Sequence, residues 1–167
     1  MNLIPDTLPG SLESFFMAMW GNQTQRGKLG TLTLPAFYGT IDIDKFCDLY
    51  RIPAELPDDL VKSYLRDAVF CVMDELWLWQ IQQNAASLDD VEQSKIDGVG
   101  RLRASFERAC YCLAKGTVLR ETQSIIRRDA AENAAKTGEQ TEDKYMEWAS
   151  DAIRQITAKK RICVEII

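Results

Sequence analysis

The sequence predicts a mainly α protein, a helical bundle of about four helices with an extended N-terminal arm and a short C-terminal β-strand. Apolar residues recur at three- and four-residue spacing along most of the chain beyond residue 41, which is the pattern of amphipathic helices. The 167 residues are 46% hydrophobic and 27% charged, as in a folded globular domain. Three of the five prolines fall within the first 36 residues, so we divide the chain into a flexible arm, 1–36, and a helical domain, 37–167.

The predicted arm contains one apolar cluster, whose largest members are Phe15, Phe16 and Trp20. Large apolar side chains on a weakly structured segment need a surface that covers them. Two alternatives remain open: the cluster folds back onto its own helices as a single helical turn, or it docks on a neighbouring subunit.

The first two helices are predicted from their start signals. Asp42 is a candidate N-cap for a short helix that ends before Pro53, because a carboxylate there accepts a hydrogen bond from a free backbone N–H group. Pro57, followed by two aspartates, opens a long second helix that runs to about Asn84. Proline suits the first turn, where N–H groups lack partners, and acidic residues suit the positive end of the helix dipole.

The second helix carries two apolar faces. The first follows three- and four-residue spacing through Leu65, Ala68, Val72, Leu76 and Trp79. The second lies about 150° around the helix from the first and consists of Phe70, Met73, Trp77 and Ile81. Such a helix is either the central element of the bundle, which is the commoner cause, or it leaves one face for another subunit.

The third helix is predicted from about Val99 to about Arg127, with Gly116 and Thr117 as the place where it kinks or ends early. A fourth helix follows, capped by Thr141. The inward residues predicted for the third helix are Val99, Leu102, Phe106, Ala109, Cys110 and Leu113.

The C-terminal segment, 161–167, is rich in β-branched residues and is predicted to form a strand. Its apolar side chains, Ile162, Val164 and Ile166, are candidate subunit-interface residues. A strand needs a partner for its backbone groups, and the other strand-like stretch is 29–38. Pairing within one subunit and pairing across subunits both remain open.

The composition excludes several classes of active site. The chain has no histidine, which removes the Ser-His-Asp triad, the Cys-His dyad and histidine-bearing zinc sites. The five cysteines are an odd number without a Cys-x-x-Cys pair, so we expect reduced, buried thiols and no metal site. No phosphate-binding glycine loop and no facing carboxylate pair is evident. We therefore predict that the protein is not an enzyme and binds no cofactor.

The sequence also lacks the usual membrane and export signals. The N-terminus has no basic region before an apolar stretch, and the most apolar stretch, 68–81, is interrupted by Asp74 and Glu75. We expect a soluble, intracellular protein without a membrane partner.

Charge is distributed unevenly along the chain. Residues 98–128 hold seven basic and two acidic residues, whereas residues 41–60 hold six acidic and two basic residues. Arg101, Arg108 and Lys115 repeat every seven residues and therefore share one face of the third helix. This basic stripe is a solvated face, a surface along a DNA channel, or an intersubunit surface that meets an acidic patch on an identical neighbour.

Three segments resemble the head-completion (head-tail connector) protein family of contractile-tailed temperate bacteriophages. They are residues 37–42 before a short helix, residues 106–109 in a long helix that continues through 119–121, and residues 160–167 at the C-terminus. Order, spacing and helix lengths agree over about residues 37–167, whereas the first 36 residues do not match.

The resemblance implies a structural virion protein without catalysis. Such proteins join the DNA-filled head after packaging, as an adaptor ring between portal and tail, which makes 37–167 a connector domain. The implied partners are other copies of the chain, the portal protein, tail-completion or tail-terminator proteins, and packaged DNA held nonspecifically. The implied location is the head-tail junction of the virion, after synthesis in the host bacterial cytoplasm. The alternative is a DNA-binding regulator or a DNA-packaging accessory protein that uses the basic third helix.

Overall fold

The structure, a computed structural model, describes residues 26–126 and 142–158, with side chains given for all of these except 122–126. In this part of the chain four helices and two short antiparallel ribbons are present, and the predicted mainly α fold is confirmed. The helices are α1 (Ile43–Leu49), α2 (Asp58–Gln80), α3 (Arg101–Ile126) and α4 (Glu142–Thr157). The first ribbon pairs β1 (Thr31–Thr33) with β2 (Thr40–Asp42), and the second pairs β3 (Lys95–Ile96) with β4 (Val99–Gly100).

Helix α3 organises the bundle, because it packs along α4 on one side and against α2 on another. The core between these helices is rich in stacked aromatic rings. Tyr38, from the turn between β1 and β2, stacks on Phe106 of α3 with ring centroids 4.7 Å apart. Phe46 of α1 stacks in the same way on Tyr111, one turn further along α3, at 5.5 Å. The β1–β2 turn and α1 are therefore held on the surface of α3.

The N-cap predicted at Asp42 is confirmed. Its carboxylate accepts a hydrogen bond from the backbone N–H of Lys45 at 2.9 Å. The hydroxyl of Tyr111 donates to the backbone carbonyl of Asp42 at 2.8 Å, which fixes the start of α1 against α3. The helix ends at Leu49, before Pro53 as predicted, and Arg51 follows with a φ of 48°.

Helix α2 begins after Pro57, as predicted, but it ends at Gln80 rather than near Asn84. Its end is set by the segment that follows. Leu88 is fully buried, and its backbone N–H donates to the carbonyl of Phe37 at 2.8 Å. Reaching that position requires the chain to leave the helix and turn back, so a tertiary contact overrides the helical pattern of residues 81–84.

The start of α3 was also predicted two residues too early. Val99 lies in β4 and is half exposed, so its predicted inward position is wrong. Asp97 and Gly98 have φ values of 50° and 79°, which is the conformation of a tight two-residue hairpin turn. The ribbon then leads into α3, whose first free N–H groups are satisfied by the carbonyl of Ser94 at 3.0 Å and the side chain of Gln93 at 2.7 Å.

Helix α3 passes Gly116 without ending, so the predicted early end is wrong. A Cβ atom at Gly116 would lie 2.7 Å from Cε of Met146 in α4. The missing side chain therefore admits a close approach of the two helices, and the packing against α4 supports the helix through this position. Cys110 and Cys112, on the same stretch of α3, are buried free thiols as predicted, whereas Cys71 of α2 is exposed.

Residues 26–36, which the sequence analysis assigns to the arm, pack into the fold. Arg26 donates to the carbonyls of Pro53 at 2.9 Å and Leu56 at 2.5 Å, and it pairs with Asp58 at 3.1 Å. The carboxylate of Asp44 accepts from the backbone N–H groups of residues 29 and 30. The predicted boundary at residue 36 consequently falls inside the β1–β2 ribbon.

The strand predicted at 29–38 is shorter than expected, since β1 covers Thr31–Thr33 and pairs with β2. Several predictions fall outside the described residues: the apolar cluster of the arm, the cap at Thr141 and the C-terminal strand. The residues concerned are Phe15, Phe16, Trp20, Thr141, Ile162, Val164 and Ile166.

Candidate assembly surfaces

The outer side of α2 carries a contiguous apolar surface. Four large apolar residues have 56–67% of their surface exposed, and we call them the α2 apolar face: Phe70, Trp77, Leu78 and Ile81. The opposite side of the helix is buried in the core through Val61, Leu65, Ala68, Val69, Val72 and Leu76. The interpretation of α2 as the central element of the bundle, with both faces buried, is therefore wrong.

Two further residues refine this surface. Met73, predicted as part of the second stripe, is half-buried and packs against the core at the edge of the face. Leu78 was not predicted, although at 100° per residue it lies about 40° from Asp74 and about 60° from Ile81 around the helix. Contiguous exposed aromatic and aliphatic side chains of this kind mark interaction surfaces, because isolated exposed leucines are common whereas patches are not.

The surroundings of the α2 apolar face are acidic. Residues 66–94 hold six acidic residues and one basic residue, Arg66, which is exposed and lies about 40° from Phe70 around the helix. Asp67 and Asp74 lie within about 60° of Phe70 around the helix, when each residue advances 100°, and both are exposed. A partner surface for this face would combine apolar groups with positive charge.

The basic stripe predicted on α3 divides into two exposed members and one partly buried member. Arg101 and Arg108 are exposed, and neither forms an ion pair with any of the residues that the structure describes. Lys115 is half-buried, and burial lowers the pKa of its ammonium group. Burial raises the pKa of the Cys112 thiol, and the hydroxyl of Tyr50 and the guanidinium of Arg108 partly oppose that shift.

A cavity of about 340 Å³ opens beside Arg101 and Arg108. We call it the α3 pocket. Its walls come from the β3–β4 ribbon, the first two turns of α3 and one residue of α4, and they receive nothing from α2. The lining residues are Ser94, Ile96, Val99, Gly100, Arg101, Ala104, Ser105, Arg108 and Gln155.

The α3 pocket joins apolar and cationic groups. Ile96 and Val99 at its mouth are 79% and 51% exposed. On the inner side the hydroxyl of Ser105 donates to the side chain of Gln155 at 3.2 Å, which closes the pocket between α3 and α4. The pocket therefore presents an apolar wall with two arginines on it.

Arg103, also on α3, forms a clamp that joins two other segments of the chain. Its guanidinium binds the carboxylate of Asp89 through two contacts, at 2.8 and 3.2 Å, and donates to the backbone carbonyl of Tyr38 at 2.6 Å. The pKa of Asp89 is lowered, mainly because its carboxylate accepts these hydrogen bonds. Arg103 is one of the bases of α3, but its partners are 14 and 65 residues away, so no local pattern in the sequence indicates them.

The titratable groups of the core form no catalytic arrangement that we can identify in the described residues. The pKa of Tyr38 is raised to about 12 by burial, and burial likewise raises the pKa values of Tyr50, Tyr111 and Cys110. These groups are packed among aromatic rings. In the same part of the chain no cluster of three or more cysteine, aspartate or glutamate side chains is arranged to hold a metal ion.

Comparison with models of protein families matches residues 32–167 to the phage head completion protein (GPL) family. The chain belongs to this family. No curated protein and no solved structure shows significant similarity to it. The match begins within β1 and covers every helix described here, so the α2 apolar face and the α3 pocket both lie in the part of the chain that carries the family pattern.

Membership of the phage head completion family establishes the broad role of the chain. It is a structural phage protein that takes part in virion assembly, is located in the virion and contacts other virion components. None of the helices in the described ranges is both long enough and apolar enough to cross a membrane. The resemblance stated from three short segments is thus confirmed over most of the chain, including part of the ribbon that it left out.

Proposed function

We propose that this head completion protein forms an adaptor ring between the portal and the tail after DNA packaging. The observation that carries this proposal is the α2 apolar face, an exposed surface of four large apolar side chains on a helix whose other side is buried. An adaptor must hold its neighbours and the components above and below it, and exposed apolar surface is the main source of such binding energy.

The proposed role is structural and needs no catalytic step. The described residues offer surfaces of different character on different elements, apolar and acidic on α2 and apolar and cationic at the start of α3. A ring is built from one surface meeting a different surface on the next copy. The chain supplies two such surfaces, as a ring subunit requires.

The direct test is the mass of the protein in solution, measured by light scattering with and without purified portal. We expect a free species of low mass at the dilute concentrations of this measurement and, with portal present, a complex whose mass corresponds to a ring of copies on the portal. A protein that ignores the portal and stays a small dimer contradicts the adaptor role.

The alternative is a DNA-binding regulator or DNA-packaging accessory protein. The observation in its favour is that Arg101 and Arg108 are exposed and unpaired within the described residues. Against a regulator, a basic stripe of this size provides few phosphate contacts, and sequence readout requires several side chains on base edges. Nonspecific contact with packaged DNA at the head-tail junction is compatible with the adaptor role.

The contribution of the C-terminal segment, 161–167, to assembly stays a prediction. Ile162, Val164 and Ile166 are candidates for strand addition to a neighbouring copy, to the portal or to a tail-completion or tail-terminator protein. Truncation after Lys160 is expected to leave a soluble, helical protein that fails to complete heads. Stable, infectious particles in a complementation assay with the truncated protein would contradict this role.

A further inference from the structure

We propose that the α2 apolar face of one copy docks into the α3 pocket of the next copy. This contact adds a specific interface to the proposed adaptor role. It rests on that role in one respect, namely that successive contacts close into a ring. It identifies which two surfaces meet, and it assigns Trp77 as the side chain that enters the pocket of the neighbour, with Phe70 packed against the apolar residues at its mouth.

The first argument is charge complementarity between the two surfaces. The α2 apolar face lies beside the exposed carboxylates of Asp67 and Asp74, which outnumber the exposed guanidinium of Arg66 on the same side of the helix. The α3 pocket carries Arg101 and Arg108, which have no carboxylate partner among the described residues of their own copy. Docking one surface on the other pairs carboxylates with guanidinium groups around an apolar centre, the usual order of a protein interface.

The second argument is the apolar content of both surfaces. Ile96 and Val99 are exposed on the wall of the pocket. Burying their apolar surface against Phe70 and Trp77 of a neighbour would be favourable for both copies. A cavity of about 340 Å³ has room for a large side chain, and an aromatic anchor in a pocket with arginine beside it is typical of the energetic centre of an interface. A tryptophan face beneath a guanidinium adds a cation–π attraction.

The third argument is that the two surfaces share no residue. The α2 apolar face lies on α2 and on Ile81 directly after it, whereas the pocket is built from the β3–β4 ribbon, α3 and α4. One copy therefore uses its face and its pocket at the same time, with a different neighbour on each. This is the condition for a head-to-tail contact that continues from copy to copy.

The test uses two variants of the full chain, each blocking one surface. Trp77→Arg places a positive charge in the α2 apolar face, where it repels the arginines of the neighbour's pocket. Val99→Glu places a negative charge at the mouth of the pocket, where it repels the carboxylates beside the neighbour's face. Leu49→Arg is the matched control, because Leu49 is equally exposed on α1 and belongs to neither surface. Thermal unfolding of each variant verifies that the fold is retained.

Sedimentation of the concentrated full chain is the readout, supported by chemical cross-linking. We expect the unmodified protein and the Leu49 control to form concentration-dependent oligomers, and each blocked variant alone to remain monomeric. A mixture of the two blocked variants should form dimers and nothing larger, since the intact pocket of one fits the intact face of the other. This restoration distinguishes a head-to-tail contact from a symmetric one.

Other results overturn the proposal. An unmodified chain that stays monomeric at millimolar concentration, blocked variants that still associate, or a mixture that does not recover dimers each contradict the contact. If Trp77→Arg weakens association while Val99→Glu does not, the α2 apolar face docks on a surface other than the α3 pocket.

Portal binding by the same variants separates this inference from the adaptor role itself. Copies that ignore one another in free solution yet assemble on the portal overturn the contact and leave the adaptor role intact. Copies that associate through the two surfaces but never bind portal support the contact and contradict the adaptor role.

Discussion

The carboxylate of Asp89 and the guanidinium of Arg103 form a two-contact ion pair, with Oδ2 to Nη2 at 2.8 Å and Oδ1 to Nε at 3.2 Å. The remaining nitrogen of Arg103 donates to the backbone carbonyl of Tyr38 at 2.6 Å. One side chain of α3 thereby joins the β1–β2 turn to the segment after α2. The flat, forked geometry of arginine is what makes three contacts in one plane accessible.

Replacement of Arg103 tests this clamp. We expect Arg103→Ala to lower the free energy of unfolding by about 1–3 kcal/mol, because it leaves the Tyr38 carbonyl without its charged donor. Arg103→Lys keeps the charge but loses the fork, so it should restore only part of the loss. Urea unfolding measures both, and an Arg103→Ala variant as stable as the unmodified protein would show that the clamp contributes nothing.

Alkaline pH should unfold the protein as its tyrosines ionise. Burial raises the pKa of all five tyrosines, that of Tyr38 to about 12, whereas in the unfolded chain they titrate near about 10. The stabilisation that the neutral, buried tyrosines contribute is therefore fully present below about pH 10. It is lost as the pH rises through the tyrosine pKa values of the folded protein. Tyrosinate absorbance and circular dichroism, followed together, should change in one transition. Ionisation of every tyrosine before any loss of helix would refute this coupling.

The close approach at Gly116 predicts a size-dependent response. We expect Gly116→Ala to raise the free energy of unfolding by about 1 kcal/mol, because alanine favours a helix more than glycine does. The atom that the new methyl group meets is the flexible end of Met146, which can move aside. Gly116→Leu should instead destabilise by about 1–3 kcal/mol through overpacking. Shortening Met146 to alanine in the Gly116→Leu background should recover part of that loss in thermal unfolding. Equal stability of the leucine and alanine variants would rule out the packing explanation.

Two N-terminal deletions should behave differently. Removing residues 1–25 leaves the Arg26 contacts and β1 in place, so we expect a folded protein with weaker assembly. Removing residues 1–36 also deletes Arg26, which binds the segment before α2, and β1, which pairs with β2 and follows a backbone N–H bound to α1. We expect a markedly lower free energy of unfolding for this chain. Circular dichroism and thermal unfolding of the two chains make the comparison. If removal of 1–25 alone unfolds the protein, the predicted arm is part of the core.

DNA binding should be weak, insensitive to sequence and only mildly dependent on salt. Three phosphate contacts would give a log–log salt slope of about −2.7, and two contacts about −1.8. Since Lys115 is half-buried, we expect the lower value, carried by Arg101 and Arg108. Titration of fluorescent duplexes at several salt concentrations measures the slope. Nanomolar, sequence-selective binding at physiological salt would favour the regulator.

The elements that sequence reasoning located correctly are those with local signals. Asp42, Pro57 and the spacing of apolar residues on α2 act within one or two helical turns, so they are visible without the fold. The β3–β4 hairpin had a local signal as well, because Asp97-Gly98 between β-branched residues is a strong turn pattern. It was missed because Val99 also fits the helical spacing of α3, and the two patterns compete for the same residue.

The sequence by itself determined that this chain forms amphipathic helices with defined starts, that it has no histidine chemistry, and that α2 has two apolar faces. Only the tertiary structure decided which of those faces is buried: α3 and α4 cover Leu65, Val72 and Leu76 and leave Phe70 and Trp77 exposed. It also paired Arg103 with Asp89 and brought Arg108 and Val99 to the lining of one cavity. Helical periodicity arises from contacts within a few residues, whereas the choice between two apolar faces depends on which elements, distant in the sequence, pack against each.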